Sequence, residues 1–298
     1  MNKKALAHFA ILGANTIYGL NYVIAKGIMP DFMQPRAIIF LRAVGAVVLF
    51  WLVGQFYPKE RPIRKDLFRL AAAAFFGVFL NQVLFFEGLN LTTPINASII
   101  VTVIPVLVLV FAHFMLKERI TLFKVVGIVL GASGAVMVIL TQGQISLKSD
   151  TFIGNILVFI NAAGFAMYLV LVKPLMLRYH PITVVKYIFL FGAIYIIPVS
   201  LRIFLDTDFS AIPPRIWGSV LYVIVGTTVL AYLLNNHSLR ILSPTVTGTY
   251  IYLQPVLASV AAISIGMDTL TLTEIIAALM IFAGVYFVSR KPYKARKK

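Results

Sequence analysis

The sequence contains no cysteine, which excludes disulfides, thiolate metal sites and cysteine nucleophiles together. Charge is scarce: 12% of the 298 residues are charged against 60% hydrophobic, a balance that a soluble domain of this length cannot hold without precipitating. Acidic residues are scarcer still, 10 against 26 Lys and Arg. Also missing are a phosphate-cradling Gly-x-x-x-x-Gly-Lys loop, a His-Glu-x-x-His pair and a Gly-x-Ser-x-Gly elbow. These absences argue against an enzyme and against ATP as an internal energy source. No metal and no cofactor are expected. The apolar runs are too poor in charge for a voltage sensor, and no selectivity-filter signature is present.

What fills the chain instead is apolar sequence in lengths that cross a bilayer as helices, about 17 to 25 residues each. Ten runs recur, near 5–28, 35–56, 67–89, 95–116, 122–140, 153–175, 183–205, 214–237, 245–266 and 273–290. They are continuous rather than alternating, so they read as helices and not as barrel strands. The expected fold is an all-α integral membrane protein of ten transmembrane helices with no soluble domain. The first run is too long and too polar for a cleaved signal peptide and is kept as mature helix.

The net charge of +16 and the tail "KPYKARKK" could suggest a nucleic-acid partner, but topology accounts for them better. With both termini cytoplasmic, 20 of the 26 Lys and Arg fall in cytoplasmic segments and only Lys148, Arg202 and Arg215 lie outside. That split obeys the positive-inside rule. The expected partners are the lipid bilayer and a small-molecule substrate, with no nucleic acid, and the expected location is the inner membrane.

The chain repeats itself. At an offset of 150, Pro94 falls on Pro244, Pro105 on Pro255, Thr121 and Leu122 on Thr271 and Leu272, and Gly134 on Gly284. At an offset of 146, Asn15 falls on Asn161, Tyr22 on Tyr168 and Pro35 on Pro181. A duplicated five-helix unit follows, residues 1–145 and 146–298, and because five is odd the second copy must be inverted. Loop charge agrees, since "KERITLFK" is basic while its mate "MDTLTLTE" has no Lys or Arg. Inverted repeats place a binding site near the midplane between halves and suit alternating access.

Several segments carry a family likeness: "IYGLNYVIAK", "AIIFLRAVGAVVLF" with Arg42, and "NASIIVTVIPVLVLVFAHFMLKERITLFKVVGIVLGASGAVMVI", echoed by "TGTYIYLQPVLASVAAISIGMDTLTLTEIIAALMIFAGVYFV". In these the chain resembles the EamA-type ten-helix transporters of the drug/metabolite transporter superfamily. Met267 and Asp268 depart from the family's usual Gly-Glu. The resemblance implies the fold and a transport role but no particular substrate.

Candidate site residues come from helical geometry. His8, Asn15, Tyr18, Tyr22 and Lys26 fall within a sector of roughly 80° on the first helix. Such a polar stripe belongs against the protein interior or a water-filled path. Asn21 lies off that stripe and reads as a packing amide. Asn161 and Tyr168 recreate the stripe's centre in the sixth helix. Pro105 and Pro255, in the middle of the fourth and ninth helices, are expected to kink them and free carbonyls. Thr102, Thr247, Tyr250 and Gln254 beside them are expected to line the substrate site. Lys26, Arg42 and Glu87 sit in the outer third of the first half, where an Arg-carboxylate pair is the least costly arrangement. They are expected to form an outer gate or an anion or proton site. Glu87 maps onto His237, which lies at the opposite face and would serve the other gate. Gly127, Gly131, Gly134, Ala277 and Gly284 make small faces for close helix contact, within the chain or between subunits of a homodimer.

The expectation is therefore a transporter that exports small metabolites, such as amino acids or organic anions. A nucleotide-sugar or lipid-linked carrier flippase of the same fold is the alternative.

Overall fold

The computed structural model describes residues 3–57, 59–92, 97, 100–141, 149–257 and 272–289. Among them every regular element is helical: α1 Lys3–Lys26, α2 Pro35–Phe56 and α3 Arg64–Leu91, α4 Ile104–Leu116, α5 Leu122–Thr141, α6 Ser149–Arg178, α7 Pro181–Leu205 and α8 Pro214–Ile241, α9 Pro244–Thr249, which tightens into a 3₁₀ turn at Tyr250–Tyr252, and α10 Leu272–Ser289. Five candidate spans, α2, α3, α7, α8 and Thr151–Arg178 of α6, are long and apolar enough to cross a membrane. Shorter apolar helices lie at Ile104–Leu116, Leu122–Met137 and Ile275–Ser289. Lys148, Met267, Asp268, Thr271, Pro94 and the tail "KPYKARKK" lie outside the described residues.

Helix starts follow from proline. Pro35, Pro181, Pro214 and Pro244 each stand in a first turn after an extended or turn residue, where the missing N–H costs nothing and φ is already helical. Ser243 adds a side-chain cap, its Oγ accepting from Val246 N at 3.3 Å. Pro105 also stands in a first turn, that of α4, but after Val103 in helical conformation (φ −72°, ψ −21°), with a turn at Thr102 and Val103 just before it. Pro255 follows the Tyr250–Tyr252 3₁₀ turn, so the tightening precedes it.

Both α3 and α8 carry a π-helical stretch, at Phe75–Leu80 and Tyr222–Leu230. The first falls on the second at the 150-residue offset. A π turn leaves carbonyls without their usual partners, and buried hydroxyls take them here: Tyr232 Oη donates to Gly77 O at 2.5 Å, and Thr227 and Thr228 both donate to Val223 O at 2.6 and 2.8 Å.

Direction can be read from contacts. Lys3 and Leu6 share a recess with Leu177, His237 and Arg240, so the start of α1 lies with the ends of α6 and α8. The end of α1 lies instead with the end of α3, which crosses the start of α6 at Gly88 and Gly154. Helices α1 and α6 thus run oppositely. The largest buried cluster joins α1 to α4 with α6, α7 and α8, while residues such as Phe68 and Leu122 stand 80% and 78% exposed outside. An apolar exterior around a packed interior is what a lipid solvent favours.

The small faces are used inside the chain. A Cβ on Gly127 would lie 2.7 Å from Gly284 O, and one on Gly134 would lie 2.7 Å from Ala277 O. Helices α5 and α10 therefore pack backbone to backbone, and these glycines present no free face to a second subunit.

Candidate functional site

A cavity opens in the middle of the helices. Tyr18, Asn21 and Tyr22 of α1, Arg42 of α2, Asn81, Gln82, Phe85 and Phe86 of α3, and Val101 and Ile104 at the start of α4 line one part of it. Asn161 and Phe165 of α6, Thr227 and Tyr232 of α8, and Ile251 and Gln254 around the 3₁₀ turn line the rest. Both halves of the sequence contribute. Among the described residues, no Asp, Glu or His lines it.

The geometry of the α1 wall begins with Gly19. A Cβ there would come within 3.0 Å of Gln254 O, so glycine lets α1 meet the chain just after the 3₁₀ turn. That approach places Gln254 between two stripe residues: its Nε2 donates to Asn15 Oδ1 at 2.8 Å, and Tyr22 Oη donates to its Oε1 at 3.3 Å. Asn15 Nδ2 returns a 2.8 Å bond to Ile11 O. Asn15 therefore sits one step behind the cavity and orients Gln254, which faces it. Across the cavity, Asn161 Nδ2 donates to Asn81 O at 2.7 Å, just past the π stretch of α3.

Arg42 is 5% exposed. Its Nε donates to Thr228 Oγ1 at 2.8 Å, and its guanidinium lies 4.7 Å from the centre of the Phe86 ring. It pairs with no carboxylate among the described residues. The partner expected for it, Glu87, instead accepts from Arg36 Nε at 2.6 Å with both side chains partly exposed. Glu87 follows Phe86, so on α3 the aromatic faces the core and the carboxylate turns about 100° away.

Lys26 makes no ion pair among the described residues either. Its ammonium caps the end of α3, donating to Leu89 O and Asn90 O at 2.9 Å each and to Thr92 O at 3.3 Å. Helix C-termini leave carbonyls open, and a cation there is favoured by both hydrogen bonding and the helix dipole. Lys173 does the same to α8, donating to Leu239 O at 2.6 Å, Arg240 O at 3.3 Å and Leu242 O at 2.7 Å. The three acceptors of Lys26 fall, each at an offset of 150, on the three acceptors of Lys173. The signal for Lys173 was available as "IAK" against "LVK", one residue out of the register that pairs Asn15 with Asn161.

The remaining candidates lie away from the cavity. Tyr168 is fully buried and donates to Asn236 Oδ1 at 2.9 Å. Tyr250 Oη and His8 Nδ1 are 2.6 Å apart. Thr247 is buried in α9, and Thr102 sits in the turn ahead of α4. His237 lines the recess near Lys3 and Arg240, at the opposite end from Glu87. Asn21, read from the sequence as a packing amide, is in the cavity wall, and its Oδ1 has no hydrogen-bond partner among the described residues, as is also true of Tyr18 Oη. Gln82, Phe86, Thr228 and Tyr232 were not singled out by sequence. Gln82 and Tyr232 are mates at the 150-residue offset, but a Gln against a Tyr leaves no visible repeat.

At the start of α3 a second cluster forms among basic residues. Asp66 Oδ2 accepts from Arg178 Nη1 at 2.6 Å and from Tyr179 Oη at 2.8 Å. Glu60 accepts from His180 N at 2.7 Å. In the α6–α7 junction, partial burial and the neighbouring Arg240 hold the His180 imidazole below its ordinary pKa.

Residues 5–140 and 152–290 each match the EamA-like transporter family. A Bacillus subtilis (strain 168) protein, the uncharacterized transporter YyaM, is 27% identical over 285 residues, covering 95% of this chain and 93% of its own. A probable terminal-alkyne amino-acid exporter of Streptantibioticus cattleyicolor is 25% identical over 240 residues, covering 80% of this chain and 78% of its own. A solved crystal structure superposes with a TM-score of 0.77 over 96% of both chains at 18% identity, a likeness of fold. With two family matches that together span almost the whole chain, this protein is a multi-pass membrane transporter of the EamA-like family.

Proposed function

We propose that the protein moves small organic metabolites, amino acids or organic anions, out of the cell across the inner membrane by alternating access between two inverted five-helix repeats. In this reading ten helices span the bilayer, both termini are cytoplasmic, and cargo binds in the central cavity. The observation that carries it is that cavity: it lies between helices of both halves and joins apolar walls to a buried cation and unpartnered polar groups. Pockets of that kind are the usual form of a small-molecule site. The amino-acid exporter among the relatives supports the cargo class and direction. Tyr18, Tyr22, Asn161, Gln254 and Arg42 contact cargo, Asn15 positions Gln254, and Lys26 and Lys173 hold the two ends.

The flippase and nucleotide-sugar alternative is less well supported. A diphosphate carries more negative charge than the single arginine in the described lining can neutralise.

Proteoliposomes preloaded with unlabelled amino acids or organic acids should draw in the labelled form by counterflow. Absence of counterflow for every member of both classes overturns the reading.

A further inference from the structure

Arg42 stands in the cavity wall as a cation with one of its five N–H donors bonded among the described residues. Thr228 takes its Nε, and Thr228 is itself tied to Val223 O in the π stretch of α8. The Phe86 ring covers one face of the guanidinium. One edge and one face are thereby fixed, while the two terminal amino groups have no hydrogen-bond partner among the described residues. A guanidinium removed from water without a counter-ion is strongly unfavourable, and this one is 5% exposed. Two further buried groups of the same wall are unpartnered among the described residues, Tyr18 Oη and Asn21 Oδ1.

We propose that this corner is a carboxylate subsite and that the cargo is a net monoanionic organic acid with an apolar body. Its carboxylate sits on the free end of Arg42 and accepts from Tyr18 Oη. The proposal rests on the transport reading above and deepens it by fixing the cargo's charge.

The chemistry selects among anions. A guanidinium fork matches a planar carboxylate with two parallel N–H···O bonds, and one positive charge neutralises one carboxylate. A phosphate monoester, close to dianionic at neutral pH, would keep uncompensated charge in a cavity whose described lining holds no second cation. A zwitterion meets the opposite difficulty. Its ammonium would enter a wall with no carboxylate among the described residues, close to a fixed positive charge. The remaining surface, with Val101, Ile104 and Phe165, suits a branched or aromatic body.

The test is binding to the purified full-length protein, by calorimetry and by thermal shift, of three probes that share an isobutyl body: 4-methyl-2-oxopentanoate, leucine and isopentylamine. The oxo acid is expected to raise the melting temperature and to bind at least about tenfold more tightly than leucine, the amine not at all. Arg42→Gln should weaken oxo-acid binding about a hundredfold and Thr228→Val about tenfold, as expected for a lost and a loosened charged hydrogen-bond pair. Arg42→Lys, which keeps the charge without the fork, should fall between wild type and Arg42→Gln. A monodisperse elution profile is required of each variant, and Thr228→Val, which leaves every charge in place, serves if Arg42→Gln does not fold. Leucine binding equal to that of the oxo acid, unchanged oxo-acid affinity in Arg42→Gln, or no binding of the oxo acid to wild type each overturns the proposal. Leucine counterflow that persists in Arg42→Gln would sink it while leaving the transport reading standing.

Discussion

The two halves of the chain agree at their ends and disagree at their centre. At the ends, Lys26 caps Leu89, Asn90 and Thr92 while Lys173 caps Leu239, Arg240 and Leu242, and a π stretch precedes each capped terminus. At the centre, Arg42 has Ile188 as its mate at the offset that pairs Pro35 with Pro181, and Ile188 is fully buried in the core. The difference separates two jobs. Duplicated ends suit a cycle in which the two faces exchange roles. A single cation suits a site that must hold one ligand in one orientation.

Breaking the centre should have the largest effect. Arg42→Ala is expected to reduce counterflow by at least about a hundredfold, since it removes a charged hydrogen-bonding group from the site. The mirror change, Ile188→Ala, should lower thermal stability and leave counterflow within about threefold. A deleted buried side chain costs packing rather than binding.

Breaking one end should have a smaller and sided effect. Lys26→Met and Lys173→Met each leave three carbonyls uncapped, and removing such bonds is worth about 1 kcal/mol apiece. Each is expected to slow counterflow severalfold and to raise accessibility at its own end only. The absence of cysteine from the chain makes this measurable: single cysteines at Thr92 and at Leu242 can be labelled with a membrane-impermeant maleimide from each side. Equal accessibility changes at both positions in both variants would show that the caps are static.

Gly19→Ala tests the seam between the halves. The added Cβ falls 3.0 Å from Gln254 O, so α1 must shift by a few tenths of an ångström. A small loss of melting temperature and about a twofold to fivefold weaker binding are expected. The smallest effect expected is that of pH. The charged and titratable groups in the described lining are Arg42, Tyr18, Tyr22 and Tyr232, types that keep one protonation state near neutrality. Affinity for an organic acid should change less than about twofold between pH 6 and 8.

Much of the fold is legible in the sequence. The all-helical character follows from run length and continuity, because an open backbone cannot face lipid. The stripe on α1 follows from the 3.6-residue period, and Tyr18 and Tyr22 reach the cavity while Asn15 stands just behind. The period failed for Asn21, because the cavity wraps around more of α1 than one stripe allows. The Arg42–Glu87 pairing failed for another reason. Depth along a helix says how far a residue lies in the membrane, but only packing says that Phe86 rather than Glu87 turns toward Arg42.

Sequence by itself determined the solvent and the helices, since these depend on composition and local period, which are properties of short windows of chain. Tertiary structure alone decided which polar groups meet. Gln254 reaches Asn15 and Tyr22 across more than 200 residues, and Thr228 reaches Arg42 across 186. Such pairings are set by where helices cross, and the crossings are set by small residues and side-chain volumes summed over the whole core.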